Sequence, residues 1–250
     1  MGVQPGSAFP QRDPPLGAPK MIRVASYNIR KTIGTDRRRN PERTIEVLNE
    51  IGAQVIALQE ADRRFGARAS ALPAHLLEEH SPYRPVQLPH RTGGIGWHGN
   101  AILVHRDVEV AGCDALHIPA LEPRGAVAAE LRLGDARLRV IGMHLDLSGL
   151  WRRRQSRAIL HHLEQHESLP TVMMGDLNEW TPQGGCLRDF AHHFTFAPCG
   201  RSFHARRPVA ALDRIMFSGL TLADCGVHMS PTARKASDHL PIWADFTSTD

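Results

Sequence analysis

The sequence predicts a layered α/β body, and three observations carry that prediction. Between residues 22 and 58 the pattern runs strand, loop, helix, strand, the succession that builds sheets covered by helices. From residue 100 to 145 it changes to adjacent short strand-like segments joined by tight turns, which argues for antiparallel pairing in part of the sheet. Residues 21 to 247 hold neither an internal repeat nor a linker-like stretch, so one domain over residues 21–250 is expected.

The elements follow in order. Residues 1–20 are rich in Pro and Gly, lack the apolar core of a secretory signal, and read as a disordered tail. Ile22 to Ile29 alternates as a strand with Asn28 near its end, and the loop after it carries Arg37, Arg38 and Arg39, which reads as a solvated face. Pro41 opens a helix whose apolar face is Ile45, Leu48 and Ile51, flanked by Val47, and Gly52 closes it. Gln54 to Leu58 is a strand that delivers Glu60, and Ala69 to His80 reads as a helix. The glycine-rich stretch Gly93 to Gly99 does not fit a phosphate loop and is expected to be a turn. Strands are expected at Asn100 to His105, Val108 to His117, Ala126 to Leu133 and Leu138 to Leu145. A helix is expected over Leu150 to Glu167, where the run Arg152 to Arg154 reads as a solvated face, and a short one over Gly184 to Phe194. Leu212 to Phe217 and Leu220 to His228 look like a strand pair, and Ile242 to Phe246 is the last strand.

The bulk numbers set bounds. A chain of 250 residues with 42% hydrophobic and 22% charged residues has apolar mass for a sizeable core. No apolar run approaches the ~20 residues that span a bilayer, so no transmembrane segment is expected and a cytoplasmic location is the default. The net charge of +4 and the pI of about 9.2 suit an anionic substrate and equally an Arg-rich coding bias, arginine greatly outnumbering lysine. Cys113, Cys186, Cys199 and Cys225 are scattered without CxxC spacing, which argues against a structural zinc site and for free thiols.

The chemistry concentrates in Leu169 to Trp180, LPTVMMGDLNEW. A buried strand ends there in Asp176, with Asn178 two residues on, so the two side chains are expected to share a direction. A carboxylate beside an amide oxygen suits a hard cation such as Mg²⁺; the same residues also fit an Asx turn closing a strand. Asn28, Glu60 and Asp238 add oxygen donors at other strand ends. Asp238 and His239 are adjacent on extended backbone and therefore point opposite ways, one free to hold a metal and the other to face a substrate. Asp213 heads a strand and can orient a histidine by accepting its ring N–H, and His144 closes another strand.

In sequence order, YNIRK, LQE, GMHL, MGDLN, LDRI and SDHLP resemble the endonuclease/exonuclease/phosphatase superfamily of deoxyribonuclease I-like metal-dependent phosphoesterases, across residues 21–247. The resemblance implies a four-layer α/β/β/α sandwich: two mixed β-sheets packed face to face with helices outside. It implies Mg²⁺ as cofactor, with Mn²⁺ as a substitute, held by Glu60 as principal ligand together with Asn28, Asp176 and Asp238. It implies His239 as the base activating water, oriented by Asp213, with Asp176 and Asn178 positioning water or phosphate. His144 would assist the leaving oxygen, and Asn28 and Arg124 (in EPRGAV) would contact phosphate. The expected reaction is hydrolysis of a phosphodiester by His-activated water with metal assistance, most like a nuclease. A phospholipid, sphingomyelinase-type or small-molecule phosphodiesterase or phosphatase, and a non-catalytic phosphate-binding module, are the alternatives. Nucleic acid, phospholipid or nucleotide is the expected partner, and no obligate protein partner is evident. The lipid alternative wants an apolar rim, for which Gly94 to Trp97 and Leu147 to Trp151 are candidates.

Overall fold

Side chains alternate across each strand, and that period of two lays down three apolar layers in this chain. The computed structural model describes residues 21–62, 69–89 and 94–248; the expected tail at 1–20, and Gly93 of the glycine-rich stretch, lie outside the described residues. In chain order the strands are β1 (Met21–Asn28), β2 (Val55–Gln59), β3 (Tyr83–Pro85), β4 (Ala101–His105), β5 (Glu109–Leu116) and β6 (Gly125–Leu133). They continue with β7 (Ala136–His144), β8 (Thr171–Asp176), β9 (Thr195–Phe196), β10 (Asp213–Ser218), β11 (Leu220–Val227) and β12 (Ile242–Ser248). The helices are α1 (Pro41–Ile51), α2 (Ala74–His80), α3 (Gly149–Glu164), α4 (Gly185–Ala191) and α5 (Ala233–Ala236).

Two six-stranded mixed sheets result, ordered β11-β12-β1-β2-β4-β3 and β5-β6-β7-β8-β10-β9. Each has one parallel pair at its centre, β1 with β2 and β7 with β8. Val24, Val55, Ala57 and Ile102 of the first sheet pack against Val140, Val172, Met174 and Ile215 of the second. The outer face of the first sheet (Tyr27, Ile56, Leu58) takes Ile45 and Leu48 of α1, and that of the second (Ile141, Met143, Met173) takes Ile159 of α3 and Phe190 of α4. Each such fully buried aliphatic or aromatic side chain contributes about 1.5–3 kcal/mol. This is the deoxyribonuclease I-like sandwich that the motifs implied.

Local chemistry sets the boundaries. Asn40 caps α1 by accepting the Arg43 N–H (2.7 Å), and Gly52 closes it in the left-handed region at φ +61°. Four expectations are corrected. The helix expected from Ala69 starts at Ala74, because Pro73 holds an extended conformation and occupies the cap position. α3 stops at Glu164, and Glu167 turns away so that its carbonyl and carboxylate accept from Arg139 and Arg137. β10 and β11 do not pair, since Gly219, at φ +69°, turns the chain from one sheet to the other. Arg152 does not lie on a solvated face: it is buried, with Nε and Nη2 donating to Glu179 Oε2 at 3.2 and 2.9 Å. The sequence reading also passed over β3, β9 and α5.

Candidate active site

The site is the last step of the alternation that fills the layer between the sheets. In β8, Val172 and Met174 face the opposite sheet and Asp176 follows them; in β10 the series Phe217, Ile215 ends on Asp213; in β7, Leu138 and Val140 lead through Gly142 to His144. Register aligns these ends, with His144 beside Asp176 and Asp176 beside Asp213. In the first sheet, Val24 and Ser26 lead to Asn28, which pairs in register with Gln59, so Glu60 emerges one residue further on. One glycine is indispensable to this end. Gly175 has φ +156°, and a Cβ there would sit 1.8 Å from the Met143 carbonyl oxygen.

Asp176 Oδ2 is where the two sheets meet. It accepts from Asn28 Nδ2 at 3.0 Å and lies 3.4 Å from His144 Nε2 and 3.8 Å from His239 Nε2. Its other oxygen accepts the Asn178 N–H at 2.9 Å, so the Asx turn and the polar cluster are one feature. Asn178 donates its amide to the Leu145 carbonyl (2.9 Å) and is thereby fixed against the loop after β7. His239 Nδ1 lies 2.9 Å from Asp213 Oδ2, which Ser202 Oγ also donates to. That contact holds one ring nitrogen and leaves Nε2 facing Asp176. Burial works against a charged ring, but Asp213 and Asp176 outweigh it and raise the His239 pKa to about 10. Arg124 is buried with Nη1 2.6 Å from His144 Nδ1, and its Nη2 reaches Glu122 at 3.4 Å.

The opposite wall is built of ion pairs on a strained turn. Arg30, Lys31 and Thr32 all lie at positive φ (45°, 56° and 59°), and so does Glu60 at 53°. Left-handed residues other than glycine cost about 1–2 kcal/mol each, so tertiary contacts must hold this turn. They are the Lys31 N–H to the Glu60 carbonyl (3.0 Å), the contact of the Lys31 ammonium with the Glu60 carboxylate, and Arg30 Nε with Asp238 Oδ2 (3.2 Å). Asp238 and His239 therefore face different partners, as extended backbone requires.

The structure thus gathers Asn28, His144, Asp176, Asp213 and His239 around one oxygen, ties Asn178 and Arg124 to that group, and sets Glu60 and Asp238 on the flank with Lys31 and Arg30. The ligand atoms of Asp176, Asp213 and His239 all lie within 4.8 Å of one another. Asp213 Oδ1 is buried with no hydrogen-bond partner. Asp176 belongs both to that group and to the oxygen donors Glu60, Asp238 and Asn28 beside it, and carboxylate oxygens of this kind fit a hard divalent cation. Sequence reasoning missed Arg30, Lys31, Ser202, Trp180 and Phe203. The first two stand inside the YNIRK motif and carried a signal; Ser202 and Phe203 sit on an irregular segment whose approach to His239, 4.9 Å between ring centroids for Phe203, no local pattern announces.

Among the apolar-rim candidates, Leu147 and Leu150 are exposed, whereas Ile95 and Trp97 pack against the cores. All four cysteines are free thiols. Among the described residues no helix is long and apolar enough to cross a membrane.

The model of the Endonuclease/Exonuclease/phosphatase family matches residues 25–239. No curated protein matches the sequence. Among solved structures, an endonuclease/exonuclease/phosphatase from Bacteroides vulgatus is 16% identical, with a TM-score of 0.73 over 92% of this chain and 100% of that one. D. rerio TDP2 complexed with single strand DNA product is 15% identical, with a TM-score of 0.70 over 91% and 99%. The human Nocturnin catalytic domain with bound sulfate anion is 21% identical, with a TM-score of 0.67 over 92% and 95%. At these identities the likeness shows the fold.

Proposed function

The chain belongs to the endonuclease/exonuclease/phosphatase family and is a phosphoester hydrolase of that type, and from this premise we propose that it cleaves phosphodiesters, nuclease-like, with a divalent cation, Mg²⁺ or Mn²⁺. The observation that carries the reading is the buried His239–Asp213 pair facing Asp176 where the two sheets meet. Asp213 holds His239 Nδ1, so Nε2 is the atom that takes a proton from an attacking water. Asp176 and Asn178, locked together through the Asx turn, orient that water and the phosphate beside it. His144, in register next to Asp176 and in contact with Arg124, would return a proton to the leaving oxygen. Arg124 and Asn28 offer donors to the non-bridging oxygens. Glu60, Asp238, Asn28 and Asp176 would hold the cation, which supplies positive charge for the phosphoryl oxygens and offsets the acidic field on His239.

The aromatic pair beside His239 favours a nucleic-acid or nucleotide substrate. Trp180 is 59% exposed, its ring edge-on to Phe203 at 5.7 Å, and an exposed aromatic by a phosphate site is a surface for a base. One observation favours phospholipid instead: Leu121 and Leu147, on two loops joined by the Leu121 N–H to Asp146 (3.2 Å), and Leu150 in the first turn of α3 are all at least 60% exposed.

The test is hydrolysis of bis-p-nitrophenyl phosphate, a short oligonucleotide and phospholipid vesicles with Mg²⁺. Cleavage abolished by EDTA and lowered on the order of 10²–10⁴-fold in His239→Ala is expected. Metal-independent turnover, or full activity in that variant, would sink the mechanism. Preference for vesicles over the oligonucleotide moves the substrate to lipid, and phosphate binding without turnover leaves a binding module.

A further inference from the structure

Behind the His239–Asp213 pair the surface opens into a groove of about 730 Å³ between α4 and the segment after β9. Its floor is apolar, formed by Leu187, Phe196 and Pro198. Three arginines line it: Arg188 from α4, Arg201, and Arg214 from β10. Arg214 donates to the Asp213 carbonyl at 3.2 Å and meets no carboxylate within hydrogen-bonding distance among the described residues. Burial, only partly offset by Asp213, holds its pKa below the ordinary arginine value. Arg188 and Arg201 are exposed and form no ion pair among the described residues. Arg137 pairs with Glu167 and Arg43 with Asp36, whereas these three have no such partner among the described residues. Three guanidiniums against the single acid Asp213 give the recess a net positive lining over an apolar floor, which suits an anion attached to an aromatic or apolar body.

The recess adjoins the reaction centre, with Asp213 between the two. Asp213 lines it while holding His239 on its other side. The chain that leaves Trp180 lines it next, through Pro182 and Gln183. Aromatic surface at the reaction centre, then arginines over a second aromatic, is the composition that binds a single strand, with bases stacking and phosphates tracking the positive groove.

We propose that this groove is a subsite for single-stranded nucleic acid, in which Arg188, Arg201 and Arg214 hold phosphates neighbouring the scissile one and Phe196 receives a base; the assignment rests on the phosphodiesterase reading above. It makes cleavage depend on strand length. A dinucleotide reaches the acid–base pair alone, whereas a longer strand also fills the groove.

The test compares the wild type with an Arg188→Ala/Arg201→Ala double variant, both positions being exposed and outside the acid–base machinery. Substrates are oligothymidylates of two to eight nucleotides and bis-p-nitrophenyl phosphate, with Mg²⁺, at several salt concentrations. In the wild type kcat/KM rises roughly tenfold or more with length. In the variant KM for the octanucleotide rises by about tenfold with kcat kept, the salt slope falls by about 1.4 for two lost contacts to a single strand, and small-diester hydrolysis stays within about twofold. Arg188→Lys/Arg201→Lys restores most of the affinity. Equal loss on long and short substrates, or none on either, overturns the groove and leaves the hydrolase reading standing. A wild type that hydrolyses the small diester but no oligonucleotide overturns the groove together with the nuclease-like reading, and one inert to every phosphodiester overturns the hydrolysis itself.

Discussion

Two sets of ion pairs flank the reaction centre, and they differ in what they leave available. Under the loop after β8, Arg152 and Glu179 are only 9% and 6% exposed, and every acceptor is used. Glu179 Oε2 takes Arg152 and the Cys186 thiol (3.6 Å), and Oε1 takes the Thr181 N–H (3.0 Å). Across the site the Lys31–Glu60 and Arg30–Asp238 pairs are 19–37% exposed, and their cationic partners sit on a left-handed turn. The first set is sealed and shapes the loop. The second is partly open to solvent, so its cations are exchangeable. Of these flanking carboxylates, Glu60 and Asp238 have exchangeable partners and Glu179 does not.

Substitutions test that division. The largest effect is expected at the acid–base pair between the two regions: Asp213→Asn removes the charge that orients His239 and should lower kcat on the order of 10²–10⁴-fold, with Tm shifted by only a few degrees. A comparable fall in thermal stability would make Asp213 a structural anchor. Next comes Glu179→Gln, which leaves Arg152 buried without its counter-charge and should cost about 3–5 kcal/mol, a fall in Tm on the order of 10 °C, while the folded variant keeps its kcat. This loss has a pH signature. Burial pushes the Glu179 carboxyl up, but the Thr181 N–H and Arg152 outweigh it, so its folded-state pKa lies below the ordinary value. Its contribution is complete above the unfolded pKa of about 4.3 and disappears as pH falls through the folded value, so the Tm gap between wild type and variant should close only under acid conditions. A gap constant from pH 7 to pH 3 would mean that packing and not charge fixes the clasp. The smallest effect is expected for Lys31→Met. Loss of one partly exposed pair should change stability by less than about 1 kcal/mol, whereas removing a positive charge beside Glu60 should enlarge the rise in Tm that Mg²⁺ produces. An unchanged or smaller metal-dependent rise would show that Lys31 supports the site.

Much of this architecture can be read without coordinates, because strands that close over a core must alternate and these do. The polar residues that end β1, β7 and β8 were legible for the same reason, as interruptions of an apolar series at strand ends. What escaped is instructive. By composition Arg152 belongs to a charge run with Arg153 and Arg154, yet Arg152, Gln155, Ser156 and Ile159 form a buried stripe at helical spacing, and here period outranks composition. The left-handed turn at residues 30–32 has no glycine to announce it, since contacts from distant segments impose it. The separation of β10 from β11 depends on Gly219 turning between layers, where a hairpin and a crossing look alike along the chain.

The row His144, Asp176, Asp213 has a further consequence for how such a protein can change. Each residue is reached by counting in twos along its strand, so inserting or deleting one residue in β7, β8 or β10 would swap its polar end for the neighbour on the opposite face. Length variation is therefore barred from the strands and displaced to the connections that leave them, such as residues 145–148 and 177–184. Those connections also leave the strand ends that carry the polar cluster. Redesign for a new substrate can graft segments there, a residue or many at a time, and the reacting groups will keep their alignment.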